Sequence, residues 1–381
     1  MSTSKPIGRF TEPTITSNTT HPGLPAVEWK KHGLEGPELV STKDWNPNKE
    51  PRKYPVDMII MTWTSAEWAA FAQVMTGRTD EMPYNGYSEE GPYWKDDWVS
   101  YYNYWDDNVL SAGSPSITNR AWGSCCVVKF PQNGKYALLF KSDMHISTDG
   151  PTIPLRNMVQ ELLDAFDPNL VLTIGTAGGT NTSDNLGSAN ITNGGHCQLS
   201  GEFSALNFWF NNRTFQSDWT PKTTYLTKAQ NELSKLVPVT QEWINAIYES
   251  KKSELIDNCT GKPYPLSELQ NVNIGPDNIT VKLNDISNQK MVLTTNSYVV
   301  ATTDGSYDKY AAMEMDDAVI GMVCNANKVN FGVVRNISDP VQNKGLNQTA
   351  AGNWGSAIYS AFGFYTSYNG ALAAWAIAAA E

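Results

Sequence analysis

Apolar residues first gather into a sustained pattern at Val56–Thr62, VDMIIMT, bounded by Pro55 and by threonine and serine. A short continuous run with β-branched members predicts a buried strand. SAEWAAFAQVM follows at 65–75, with Ala66, Ala69, Ala70 and Val74 at helical spacing and Ser65 as a possible cap. The runs 125–129 and 136–141 flank Asn133-Gly134, the dipeptide of a hairpin turn. LRNMVQELLDAF at 155–166 places Leu155, Met158, Val159, Leu162 and Leu163 on one helical face, and Pro168 stops it. LVLTI at 170–174 is again a buried strand and runs into Gly175-Thr176-Ala177-Gly178-Gly179. Further strands are expected within 187–210 and 291–301. A helix is expected over 317–327, a strand over NFGVVRNI at 330–337, and a final helix over 355–380. Strands that alternate with helices predict an α/β fold, three layers α/β/α around a central mixed sheet.

Two stretches break the alternation. Residues 1–54 carry scattered prolines and no periodicity, and predict an extension that wraps the surface or is partly irregular. Residues 55–381 then form the α/β domain. Within it, 76–125 is an aromatic-rich, acidic insertion holding Tyr84, Tyr87, Tyr93, Trp94, Trp98 and Trp105. Its rings serve either as a packed subdomain or as a lid or subunit contact.

Composition narrows the function classes. The chain has 381 residues, 28 Lys and Arg against 39 Asp and Glu, and a net charge of −11. That balance excludes a phosphate-backbone binder, which needs clustered cations, but leaves a small nucleoside open. Eighteen consecutive apolar residues occur nowhere, so no membrane span is expected. The polar first twenty residues lack a signal-peptide core, and five widely spaced cysteines suit reduced thiols, so a cytoplasmic location is expected. Four dispersed histidines and no CxxC predict no metal site and no cofactor.

Candidate chemistry sits at strand ends, where open α/β sheets bind ligands. The Gly175–Gly179 turn lets backbone approach an oxygen-rich ligand, or is simply a tight turn. In Met313-Glu314-Met315-Asp316-Asp317, ahead of a helix, Asp316 and Asp317 are explained by capping. Glu314 lies between methionines and wants a partner, which a sugar diol would supply. Asp339, after Ser338, either caps a turn or is a general acid kept protonated by an apolar site. Glu67 is a solvated helix carboxylate or a base that takes a proton from water.

Taken together, LVLTIGTAGGT (170–180), VVATTDGSYDKYAAMEMDDAVIGMVC (299–324) and NFGVVRNISDP (330–340) resemble the nucleoside phosphorylase/nucleosidase superfamily. The similarity is strongest to its methylthioadenosine/S-adenosylhomocysteine nucleosidase branch and covers about 160–340. The resemblance implies that Glu314 holds the ribose hydroxyls, Met313 lies under the sugar, Tyr307 stacks on the base, and Ala177 and Gly178 line the site through backbone. It also implies that Asp339, oriented by Ser338, protonates the purine, and that Glu67 activates water. A homo-oligomer (dimer, trimer or hexamer) is expected on the same ground, with a small-molecule nucleoside as the partner and neither nucleic acid nor membrane.

Cleaving an N-glycosidic bond requires a stabilised oxocarbenium-like sugar and a protonated leaving base, and three carboxyls with an aromatic suffice for that. The phosphorylase branch has an arginine two residues before the glycine motif; Thr173 stands there. Water is therefore the expected nucleophile, since phosphate calls for arginines. Two alternatives stay open: a phosphate-dependent nucleoside phosphorylase, and a catalytically inactive nucleoside-binding or storage protein.

Overall fold

The computed structural model describes residues 24–40, 45–77, 98–102, 121–146, 152–199, 212–233, 236, 239–269, 281–283 and 290–381. Among them one sheet of thirteen strands forms. The strands are β1 (Glu38–Leu39), β2 (Val56–Thr62), β3 (Val99–Tyr102), β4 (Ala121–Lys129), β5 (Tyr136–Ser142), β6 (Leu170–Gly178) and β7 (Ala189–Thr192). They continue with β8 (Gly194–Cys197), β9 (Thr214–Gln216), β10 (Val281–Leu283), β11 (Val292–Thr294), β12 (Met313–Glu314) and β13 (Asn330–Asp339). The main helices are α1 (Ser65–Thr76), α2 (Ile153–Phe166), α3 (Gln241–Lys251), α4 (Asp317–Asn327) and α5 (Gln348–Ala378).

Strands β5, β2, β6 and β13 run parallel in that spatial order, so their carboxyl ends coincide. β4 joins β5 antiparallel through the Asn133-Gly134 turn, where Gly134 takes φ 75° as that turn demands. β7 continues the sheet antiparallel beyond β13. At its last residue β6 also meets β12, through Gly178 and Met313. The sheet thus forks at the end of β6, into β13 on one branch and β12-β11-β8-β9 on the other.

Alternation along β2 builds a core on each face. Met58 and Ile60 pack in one cluster with Phe71 and Trp68 of α1 and Tyr368, Leu372 and Trp375 of α5. Ile59 and Met61 pack in the other with Met158 and Leu162 of α2 and Val319 and Ile320 of α4. Helices therefore cover both faces of a mixed sheet, the α/β class expected. Local chemistry shifts two boundaries. α1 is capped by Thr64, not Ser65, in a reciprocal capping box with Glu67. α5 begins before Gly355, because the Asn347 side chain accepts from Ala350 N.

Part of the N-terminal segment lies on this domain. Leu34 and Trp45 are buried, and Trp29 meets Trp375 with ring centroids 4.5 Å apart. Of the aromatic stretch at 76–125, residues 78–97 and 103–120 lie outside the described residues. The five cysteines are free thiols, and only Cys259 is exposed. No helix of the described residues is long and apolar enough to cross a membrane.

Candidate active site

Asp339 closes β13 and is buried. A register irregularity between Ile337 and Asp339 re-aims it. Along β13, Phe331, Val333 and Ile337 belong to the core under α4, and Arg335 reaches Asp317 of that helix. Strict alternation would put Asp339 on the same face. Its Cβ instead lies toward Gly355 of α5. Ser338 Oγ donates to Asp339 Oδ1 at 2.9 Å, and the Tyr298 phenol donates to Oδ2 at 3.0 Å. Oδ2 lies over Gly178, where an added Cβ would sit 3.1 Å from it and 3.7 Å from Met313 Cε. Burial raises the Asp339 carboxyl to about 6, against the pull of its two hydroxyl donors. Met313 shares a small apolar cluster with Leu293, Ala301, Tyr310 and Val341, against which the half-buried Tyr307 packs. Ala177 is buried beside this floor, its carbonyl 3.4 Å from Ser338 Oγ.

A second group of charges surrounds Arg335, whose guanidinium is buried. Nε and Nη2 donate to Asp317 at 2.8 and 2.7 Å, Nη2 reaches Glu314 at 3.4 Å, and Nη1 donates to the Thr176 carbonyl at 3.3 Å. The Trp63 ring covers one face, with its centroid 4.9 Å away. Burial opposes the charge, but Asp317, Glu314 and Glu67 outweigh it and keep the guanidinium protonated.

Glu314 belongs to this second group. It accepts four protein donors: Thr294 Oγ1, the Asp316 and Asp317 backbone N–H groups at 2.6 and 2.8 Å, and Arg335. Three of these donors crowd Oε2 and Thr294 alone bonds Oε1, so at most one lone pair, on Oε1, is left for a sugar hydroxyl. Burial and Asp317 push its carboxyl up, while Arg335 and Thr294 pull it down. Glu314 and Asp339 share no partner; adjacent residues of β12 alternate faces, and it is Met313 that reaches toward Asp339. Glu67 accepts five donors: Thr62 Oγ1, Trp63 N and Thr64 N on Oε2, and the backbone N–H and hydroxyl of Thr176 on Oε1.

Two neighbours were not singled out as ligand groups by the sequence. Asp316 is buried, accepts from Ile146 N at 2.9 Å and faces His145 Nε2 at 3.4 Å. Burial first, with Asp317 and Glu67 adding to it, lifts Asp316 to about 8, against the Ile146 bond and Arg335. In the sequence Asp316 looks like an ordinary helix cap, yet it makes no side-chain cap bond. Tyr298 lies 41 residues before Asp339 in a polar loop that carries no periodic signal.

No family model matches the chain, and no curated protein matches it. Among solved structures it is similar to 5′-methylthioadenosine/S-adenosylhomocysteine nucleosidase of Neisseria meningitidis, at 12% identity and TM-score 0.45, over 86% of this chain and 100% of that one. It is similar to futalosine hydrolase of Helicobacter pylori at 11% identity and TM-score 0.43, over 85% and 97%. It is also similar to a nucleosidase of the first kind from Colwellia psychrerythraea in complex with adenine, at 14% identity and TM-score 0.39, over 84% and 96%.

Proposed function

We propose that this chain hydrolyses the N-glycosidic bond of a purine nucleoside, with Asp339 as the general acid. The observation that carries the reading is the Asp339 carboxyl itself. It is buried at a parallel strand end, clamped by two hydroxyls, raised to about 6, and faces a floor of Gly178 and Met313. A carboxyl of that acidity is partly protonated near neutrality and can donate to a ring nitrogen whose basicity rises as the C1′–N bond breaks.

A ribosylated purine laid across the ends of β6 and β13 puts its base at Asp339 and its sugar toward the carboxyls around Arg335. Asp339 delivers its proton to the ring nitrogen, and the C1′–N bond breaks with its electron pair passing to the base. Water adds to C1′, and its spare proton leaves to the carboxylates. The products are the free base and the free sugar. Four carboxyls, Glu67, Glu314, Asp316 and Asp317, interact with the single guanidinium of Arg335. Negative charge among these carboxyls in a buried site stabilises the positive charge that grows on the sugar. We assign the ribose hydroxyls to Asp316, because Glu314 already accepts four protein donors and has at most one lone pair to offer a diol. Glu67, whose oxygens already accept five donors, acts in this reading as fixed charge.

Water is favoured over phosphate by the state of the cations. Arg335, Lys141 and His145, placed near these strand ends among the described residues, each face a carboxylate: Asp317, Asp143 and Asp316. A phosphate would have to displace one of them.

The test is incubation of the protein with adenosine, inosine and methylthioadenosine, with and without inorganic phosphate, followed by chromatography for free base. Base is expected without phosphate and at an unchanged rate with it. Base formed only with phosphate replaces hydrolysis by phosphorolysis. No base from any nucleoside overturns the reading in favour of a binding protein.

A further inference from the structure

Tyr298 stands in an unusual relation to its surroundings. The residue is 41% exposed, yet its hydroxyl reaches inward and is wedged between Asp339 and α5. The wedge fits only because residue 355 is glycine: a Cβ there would lie 2.5 Å from the phenol oxygen and 3.8 Å from Asp339 Cβ. Gly355 sits inside a 31-residue helix, where glycine is the poorer choice and alanine the better one. Its φ is not positive, so backbone conformation does not demand it. What the position accommodates is the close approach of the phenol.

We propose that Tyr298 is the positioning residue of Asp339, seated in a notch that Gly355 cuts into α5. This rests on the reading of Asp339 as the acid. Ser338 and Tyr298 take one carboxyl oxygen each, so the carboxyl plane cannot turn about its Cβ–Cγ bond without breaking a hydrogen bond. The phenol donates to Oδ2, the oxygen over Gly178 and Met313. When Asp339 surrenders its proton it becomes an acceptor only, and both hydroxyls then bond a full charge. Tyr298 therefore stabilises the state that exists after proton transfer. Burial of the hydroxyl and the Asp339 carboxylate hold the phenol well above its ordinary range, so it remains a donor throughout neutral pH. The groups facing this pair are Ser338 of β13 and Tyr359 of α5, which also bears on Tyr298.

Gly355 provides the test. Four proteins are compared: the unaltered chain, Tyr298→Phe, Gly355→Ala and the double variant, each checked by thermal melting. The Asp339 carboxyl is titrated by carbon-13 NMR of aspartate-labelled protein, with Asp339→Asn to assign the resonance. The pH profile of base release is recorded alongside. Tyr298→Phe is expected to raise the Asp339 midpoint by about one pH unit, roughly a tenfold weaker acid, as loss of a donor to the charged form requires. Gly355→Ala, which expels the phenol, should move it in the same direction. In the Phe background, where no hydroxyl is left to clash, Gly355→Ala should add nothing. An unmoved midpoint in Tyr298→Phe, or full additivity of the two changes, overturns the inference. The NMR midpoint needs no turnover. A shifted midpoint in a protein that releases no base therefore sinks the nucleosidase reading alone. Base release with an unmoved midpoint sinks the positioning role alone.

Discussion

Replacing Asp339 by asparagine should inactivate the protein and stabilise it at neutral pH. In the folded state burial lifts Asp339 from the ordinary 3.8 to about 6. The folded state therefore holds its proton to a higher pH than the unfolded chain does. Stability from this group is complete below about pH 3.8 and is lost as pH rises through 6. The difference of about two pH units, at roughly 1.4 kcal/mol each, amounts to about 3 kcal/mol of destabilisation at pH 7. Asparagine is never ionised and escapes it. Its amide nitrogen, however, cannot accept a bond, so either Ser338 or Tyr298 loses a partner, at about 1 kcal/mol. The net expectation is a variant about 2 kcal/mol more stable than the parent at pH 7 and about 0.5 kcal/mol less stable at pH 4. Urea unfolding at the two pH values measures this directly. Base release should fall by roughly 10²–10⁴-fold, the usual contribution of a positioned acid. A stability difference of the same sign and size at both pH values would refute the burial argument, and retained turnover would remove Asp339 from the acid role.

Two of the three carboxyls of the Met313–Asp317 segment, Glu314 and Asp316, should separate by function. Asp316→Asn is expected to lower kcat/KM for ribosides about tenfold more than for 2′-deoxyribosides, from the loss of a hydrogen bond to the sugar. Glu314→Gln should leave that ratio unchanged and lower the melting temperature instead, since an amide cannot accept from all four donors; equal loss on both sugars in Asp316→Asn would return the diol to Glu314. Arg335→Met should destabilise the fold by about 3–5 kcal/mol in urea unfolding, because it strands Asp317 and Glu314 as unpaired buried charges. A variant of near-parental stability would show that those carboxyls fold as neutral acids.

The layers of this protein are legible in its sequence because buried parallel strands are continuous apolar runs. VDMIIMT and LVLTI could be placed without knowledge of their partners. α2 was equally plain, since Leu155, Met158, Val159, Leu162 and Leu163 recur on one face and all are buried. The aromatic run at 76–125 and the first 54 residues carry no such period, and their organisation was not legible in the same way. The candidate site was half legible. Asp339, Ser338, Met313 and Gly178 lie on contiguous motifs at strand ends and do come together. Glu314 was picked for its apolar neighbours, and it is indeed buried. Its partners, though, are an arginine and a threonine 21 and 20 residues away and the first turn of α4.

Residue order alone determined the alternation of strand and helix and the presence of an acid at a strand end. These follow from side-chain hydrophobicity and spacing, which are local properties. Tertiary structure decided which way each carboxyl points. A one-residue irregularity near the end of β13 carries Asp339 to the side of α5 while Arg335 stays under α4. Strand periodicity is two, so a single extra residue exchanges the faces of a sheet, and nothing in the local sequence announces it.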